Sequence, residues 1–142
     1  MNALELLKKD HDRVKELFAQ YDADTGRRQE IAENVFRELE LHSRVEEDIF
    51  YPAVRKHSDK QGKELVKESL EEHRQVEDLI GELRAMDPGD PDFDDRFEEL
   101  MDNVEHHIEE EETELFPKAK ALGEELDQLA QQMEQEKETV RA

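Results

Sequence analysis

The chain has 142 residues with a formal net charge of −21; 43 % of it is charged and 35 % hydrophobic, glycine, proline and aromatics are scarce, and there is no cysteine. This is the size of one domain, and the composition favours helices over sheet. Such acidity repels nucleic acid and anionic membrane as partners, and without cysteine there are no disulfides, thiolate metal sites or cysteine nucleophiles.

The opening residues MNALELLKKDHDRV hold no apolar run of signal-peptide length, and no later stretch is apolar enough to span a bilayer. A soluble cytoplasmic protein is expected. Apolar residues at spacings of three and four predict a first helix carrying Leu4, Leu7, Val14, Phe18 and Tyr21, ending near DADTGRR. A second runs from about Ile31 through Val35, Leu39, Ile49 and Ala53 to KHSDKQG. A third carries Val66, Leu70, Ile80 and Leu83 and stops at MDPGDPD, the clearest breaker in the chain. A fourth takes Phe93, Phe97, Leu100, Val104 and Leu115. A last amphipathic stretch puts Leu122, Leu126, Leu129 and Met133 on one stripe.

Short breaks between long helices predict an all-α fold, an antiparallel up-down four-helix bundle with an additional C-terminal helix. Residues 1–121 would form the bundle, and 122–142 a helix packed on the bundle or on a partner, the protein being a monomer or homodimer.

Each core-facing stripe is interrupted near its middle by histidine: His11, His42, His73 and His107 in turn. A glutamate follows four residues later in three helices, at Glu46, Glu77 and Glu111. Residues at i and i+4 share a helix face about 6 Å apart, close enough to share a metal centre. The levels also agree. From a first loop near residue 25, His11 and His42 lie about 14 and 17 residues away; from a second near residue 60, Glu46 and His73 lie about 14 and 13 away. These mismatches amount to no more than about one helical turn.

An internal echo supports the register. HSRVEEDIFYP (42–52) and HIEEEETELFP (107–117) align without gaps, with glutamates at +4 and +5, an apolar residue at +8, an aromatic at +9 and proline at +10. HDRVKELF from His11 and HRQVEDLI from His73 form a weaker pair, so the bundle reads as two similar hairpins. The prolines predict a kink or early termination beyond the glutamates. His106, Glu109, Glu110 and Glu112 fall off the stripe and are expected in solvent. Tyr51, five residues past Glu46, should point aside, and His57 reads as a cation at a helix C-terminus.

A single histidine on an apolar stripe is ordinarily a hydrogen-bonded core residue. Four at one level with three glutamates are different: an unpaired buried carboxylate costs several kcal/mol, against about 5–15 kcal/mol for a whole domain. The carboxylates are protonated, paired with imidazolium, or bound to cations, and metal is the reading preferred. Imidazole and carboxylate donors suit iron, manganese or zinc over calcium and magnesium. Seven residues exceed one tetrahedral zinc and suit two adjacent metals. Neither Glu-x-x-His at these histidines nor HExxH is present.

The lone His11, His42-x-x-x-Glu46, His73 and His107-x-x-x-Glu111, spread over four helices, resemble the hemerythrin-like (HHE cation-binding) domain across roughly residues 3–121. The resemblance implies two non-heme iron ions, ahead of manganese or zinc. Glu46 and Glu111 would bridge them, with His11, His42, His73 and His107 as terminal ligands. The family's oxygen carriers have a histidine where this chain has Glu77, and an aspartate five residues after the last histidine, where it has Glu112. These departures point away from reversible oxygen carriage, because a carboxylate in place of an imidazole favours ferric iron. The expectation is a di-iron protein that binds or senses oxygen, peroxide or nitric oxide, or handles iron. The alternatives are a catalase-like or nitric-oxide-handling enzyme and a metal-free helical interaction module.

Overall fold

In the computed structural model, which describes residues 1–141, the chain is a four-helix bundle with a further helix at its end; Ala142, the last residue of the expected C-terminal segment, lies outside the described residues. Helix α1 spans Ala3–Ala23. Its start is fixed by a capping box: Asn2 Oδ1 accepts the Glu5 N–H at 2.9 Å and Glu5 Oε1 accepts the Asn2 N–H at 3.0 Å. A 3₁₀ turn, Thr25–Arg27, leads into α2, Arg28–Val45, which continues through a π-helical turn, Glu46–Phe50, into α3, Tyr51–His57.

Asp59 caps α4, Lys60–Ala85, by accepting the Gly62 N–H at 2.9 Å. Any larger residue at 62 would press its Cβ to 2.5 Å from that of Ser58. Helix α5, Phe93–Glu110, passes through a second π-helical turn, Glu111–Leu115, into the short α6, Phe116–Ala119. The 3₁₀ turn Lys120–Leu122 and Gly123, at φ +56°, redirect the chain into α7, Glu125–Arg141. No helix among the described residues is long and apolar enough to cross a membrane.

Helices α1 and α2 pair as one hairpin, and α4 and α5 as another. Helix α7 packs on α1 and α2, burying Leu126, Leu129, Ala130 and Met133. The core falls into two clusters. One, with Val14, Phe18, Leu39, Val76, Ile80, Phe97, Val104 and Ile108, fills the end that holds the α1–α2 and α4–α5 loops. The other, with Leu7, Phe50, Tyr51, Val66, Leu115, Phe116 and Met133, fills the opposite end. All four stripe histidines fall between them.

The two π-helical turns stand where the sequence predicts a kink or a stop. A proline donates no N–H, so Pro52 and Pro117 cannot continue an α-helical ladder unaided. In each helix the preceding turn widens instead: Tyr51 N–H bonds to Glu46 C=O, and Phe116 N–H to Glu111 C=O. The helix then resumes beyond the proline. Such bulges insert a residue into the turn and so rotate every later side chain about the axis.

Candidate metal centre

His11, His42, Glu46, His73, His107 and Glu111 are all buried and converge in one layer. Each hairpin brings two histidines and one glutamate. The Nε2 atoms of His42 and His73 lie 3.1 Å from Glu46 Oε1, that of His11 lies 3.1 Å from Glu111 Oε1, and that of His107 lies 3.2 Å from Glu111 Oε2. These residues divide into two overlapping groups, His11, His42, Glu46 and Glu111 on one side and Glu46, His73, His107 and Glu111 on the other. Within each group the donor atoms lie within 4.8 Å of one another, so each could hold one metal ion. Both glutamates belong to both groups.

The outward nitrogens are all occupied. His11 Nδ1 lies 2.6 Å from Glu112 Oε2, His42 Nδ1 3.0 Å from Asp10 Oδ2, His73 Nδ1 2.9 Å from Glu47 Oε2, and His107 Nδ1 2.8 Å from Glu72 Oε1. A carboxylate on Nδ1 favours the tautomer whose Nε2 lone pair faces inward, and it raises that nitrogen's basicity toward a metal. Five of the inward atoms make no hydrogen bond: His11 Nε2, His42 Nε2, both oxygens of Glu46, and Glu111 Oε1. Buried polar atoms are rarely left so, and these sit at short range without hydrogen-bond alignment. They aim at common points between them, as a metal's ligands do, and a donor set of imidazole and carboxylate fits iron, manganese or zinc.

The electrostatics agree. Burial pushes His42 down, but Glu46 and Asp10 overcome it and raise its pKa to about 10. His73 and His107 are raised for the same reason, burial being outweighed by Glu46 and Glu47 for His73, and by Glu111 and Glu72 for His107. Burial opposes ionisation of Glu111, yet its contacts with Glu46, His107 and His11 hold it well below the usual range. Protons on His42, His73 and His107 thus offset the buried negative charge, and a cation entering the layer takes their place.

Glu77 does not join the layer. It is exposed, beside Glu47, Lys67 and Arg74 on a shallow surface groove. The reason is the local line of the stripe: past His73 the buried positions are Val76, Leu79 and Ile80, so the inward face advances by three residues and leaves Glu77 outside. The expectation drawn from an extra carboxylate at that position loses its basis. His57 and His106 are exposed, as is Glu109, while Glu110 is half-buried and shares a surface cluster with His106 and Glu72. Glu112, expected in solvent, is half-buried on His11.

Tyr51 reverses another expectation. Its hydroxyl donates to Glu111 Oε2 at 2.6 Å and lies 3.1 Å and 3.4 Å from Nε2 of His73 and His107. In an α-helix a residue at i+5 points aside. In a π turn residues five apart share the hydrogen bond, and Tyr51 comes round onto the face of Glu46. Its counterpart in the other hairpin, Phe116, stacks on His11 with ring centroids 5.8 Å apart. The hydroxyl is therefore present on one side only.

The four supporting acids escaped the sequence reading, though the repeats hold their signal. The acid just before each lone histidine, Asp10 or Glu72, supports the histidine of the neighbouring helix, and the second glutamate of each HxxxEE supports a lone histidine. A cavity of about 20 Å³ adjoins the layer at its histidine face, lined by the four histidines with Val14, Leu39, Ser43, Val76, Val104 and Ile108. It stands on the side away from Tyr51, Phe50 and Phe116.

Comparison with known proteins identifies the family and the fold. Residues 2–119 match the hemerythrin HHE cation binding domain. The crystal structure of a hemerythrin HHE cation binding domain-containing protein from Mycobacterium kansasii superposes with a TM-score of 0.82, covering 98 % of this chain and 89 % of that one at 28 % identity. A DNA nickase of Nostoc sp. is 31 % identical over 118 residues, which are 82 % of this chain and 33 % of the nickase. An uncharacterized hemerythrin-like protein of Schizosaccharomyces pombe is 32 % identical over 80 residues, 56 % of this chain and 39 % of that protein. The matched segment thus spans about a third of the first of these relatives and about two fifths of the second. It belongs to the hemerythrin HHE cation-binding domain family.

Proposed function

We propose that the chain holds two iron ions bridged by Glu46 and Glu111, with His11 and His42 as terminal ligands of one and His73 and His107 of the other, and that the centre meets oxygen, peroxide or nitric oxide. The observation carrying this reading is the pair of donor groups sharing two buried glutamates, with unpartnered atoms turned into both. Iron so held supplies the redox chemistry that such molecules require. The chain's own residues do the rest. The acids on Nδ1 fix the imidazoles, while the apolar clusters on both sides exclude bulk water. The cavity has room for about one water-sized molecule against the histidine face. With Glu77 outside, each group offers two histidines and two shared carboxylates, and an iron ion held by those four residues would have room for a small ligand.

A catalase-like or other enzymatic role has one observation in its favour. Tyr51 holds a proton at its hydroxyl, 2.6 Å from Glu111, in a layer otherwise made of acceptors and imidazoles. Turnover of peroxide needs a proton source of this kind close by. The nickase's name describes a protein about two and a half times as long, and a surface of net charge −21 gives no reason to carry a DNA reaction over. We place the protein in the cytoplasm, as a monomer or homodimer.

The test is anaerobic loading with ferrous iron followed by thermal unfolding and exposure to peroxide. Iron bound to the native state alone should raise stability by a few kcal/mol at saturation. That gain should disappear in Glu46→Ala. An unchanged melting temperature would refute the metal reading and favour a metal-free interaction module. Rapid oxygen evolution from peroxide would favour the enzyme.

A further inference from the structure

The two metal positions differ in what stands behind their histidines. On the His11–His42 side both supporting acids are backed by lysine. Lys137 Nζ lies 2.6 Å from both oxygens of Asp10, and Lys8 Nζ lies 3.9 Å from Glu112 Oε1. Lys137 is largely buried, its side chain 12 % exposed, and it is carried by α7, which follows the family-matched segment 2–119. On the His73–His107 side, among the described residues, no lysine or arginine pairs with Glu47 or Glu72. Glu47 pairs with His73, and Glu72 pairs with His107 and, at 3.8 Å, the exposed His106, and shares a hydrogen bond with Glu110.

The consequence follows from how a supporting carboxylate acts. It strengthens an imidazole donor by drawing on the Nδ1–H, and it places negative charge near the metal. An ammonium bonded to both oxygens of that carboxylate removes much of each effect, and adds a positive charge close to an incoming cation. We infer that Lys137, delivered by α7, makes the His11–His42 position the weaker of the two, so that metal fills the His73–His107 position first. The inference rests on the di-metal reading. Lys137 is a positioning residue, acting through Asp10 on His42. The end of the chain beyond the matched segment therefore governs how readily the second ion is taken up and released.

Cobalt(II) is a suitable probe, because its visible absorption reports binding without oxidation. Metal-free protein titrated with cobalt(II), followed by calorimetry and absorption, should bind two ions in two steps at least tenfold apart. His107→Ala should remove the tight step, and His42→Ala the weak one. Lys137→Met should tighten the weak step about three- to tenfold and leave the tight step unchanged. Lys137→Arg, which keeps the cation, should restore the wild-type separation. A merely structural role would instead weaken binding in Lys137→Met. Two indistinguishable sites in the wild type, or a weak step unchanged or loosened in Lys137→Met, would overturn the inference while leaving the metal reading intact. Should Lys137→Met undock α7, Lys137→Gln, which can still donate to Asp10 without carrying charge, makes the same test and should tighten the weak step alike. No cobalt binding at all would overturn both.

Discussion

Removing the Tyr51 hydroxyl tests the account at the point where the structure departs most from simple helical geometry. Tyr51→Phe keeps the ring against His73, with centroids 5.3 Å apart, and makes position 51 match Phe116. It deletes the O–H that Glu111 accepts at 2.6 Å, in a layer where Glu111 is fully buried and carries its charge. A hydrogen bond to a charged group is worth about 1.5–3 kcal/mol net. For a chain of this size that corresponds to a fall of roughly 3–10 °C in Tm. The measurement is urea unfolding of chelator-treated protein, with Tyr21→Phe as comparator. The Tyr21 hydroxyl donates to Asp94 at 2.5 Å, but that carboxylate is 59 % exposed, so its loss should cost about 1 kcal/mol or less. Equal costs for the two variants, or a loss below about 0.5 kcal/mol for Tyr51→Phe, would refute the claim that the π turn commits Tyr51 to the layer.

The metal-free protein should lose stability as pH rises. His42 keeps its proton to about pH 10 folded but only to about 6.5 unfolded, so its contribution is complete below about 6.5 and disappears through 10, at up to about 1.4 kcal/mol per pH unit for that proton. His73 and His107, also raised, add in the same direction, and a urea midpoint flat from pH 6.5 to 10 would contradict this. Metal affinity should rise over the same window, because each ion displaces histidine protons; calorimetry in buffers of different ionisation enthalpy counts them. Glu77→Ala should change stability by no more than about 0.5 kcal/mol and leave metal content intact. Loss of a metal ion from that variant would restore Glu77 to the site. Glu72→Ala should weaken binding about 10–100-fold through His107, as a cobalt titration would register, and unchanged affinity would remove the supporting acids from the account.

The helices and the level of the histidines were legible because both rest on the period of an α-helix. Leu7, His11 and Val14, or Leu100, Val104 and His107, are consecutive steps of one buried stripe. That regularity also accounts for what was missed. Tyr51 is misplaced by any constant period, since the π turn adds a residue just before it. Glu77 stands four residues after a histidine, as Glu46 and Glu111 do, but here the stripe passes through Val76 and leaves it in solvent. Asp10, Glu47, Glu72 and Glu112 look like surface charge, because acids abound along the chain and the contacts that single these out are between helices. Only the repetition of an acid before each lone histidine, and of paired glutamates after the other two, marks them in the sequence.

The most direct test of the central claim is elemental analysis of protein expressed with iron available and purified without chelator or nickel affinity. Two buried glutamates shared between two pairs of histidines predict close to two iron ions per chain. One zinc ion, or no metal even after anaerobic loading with ferrous iron, would contradict the di-metal centre.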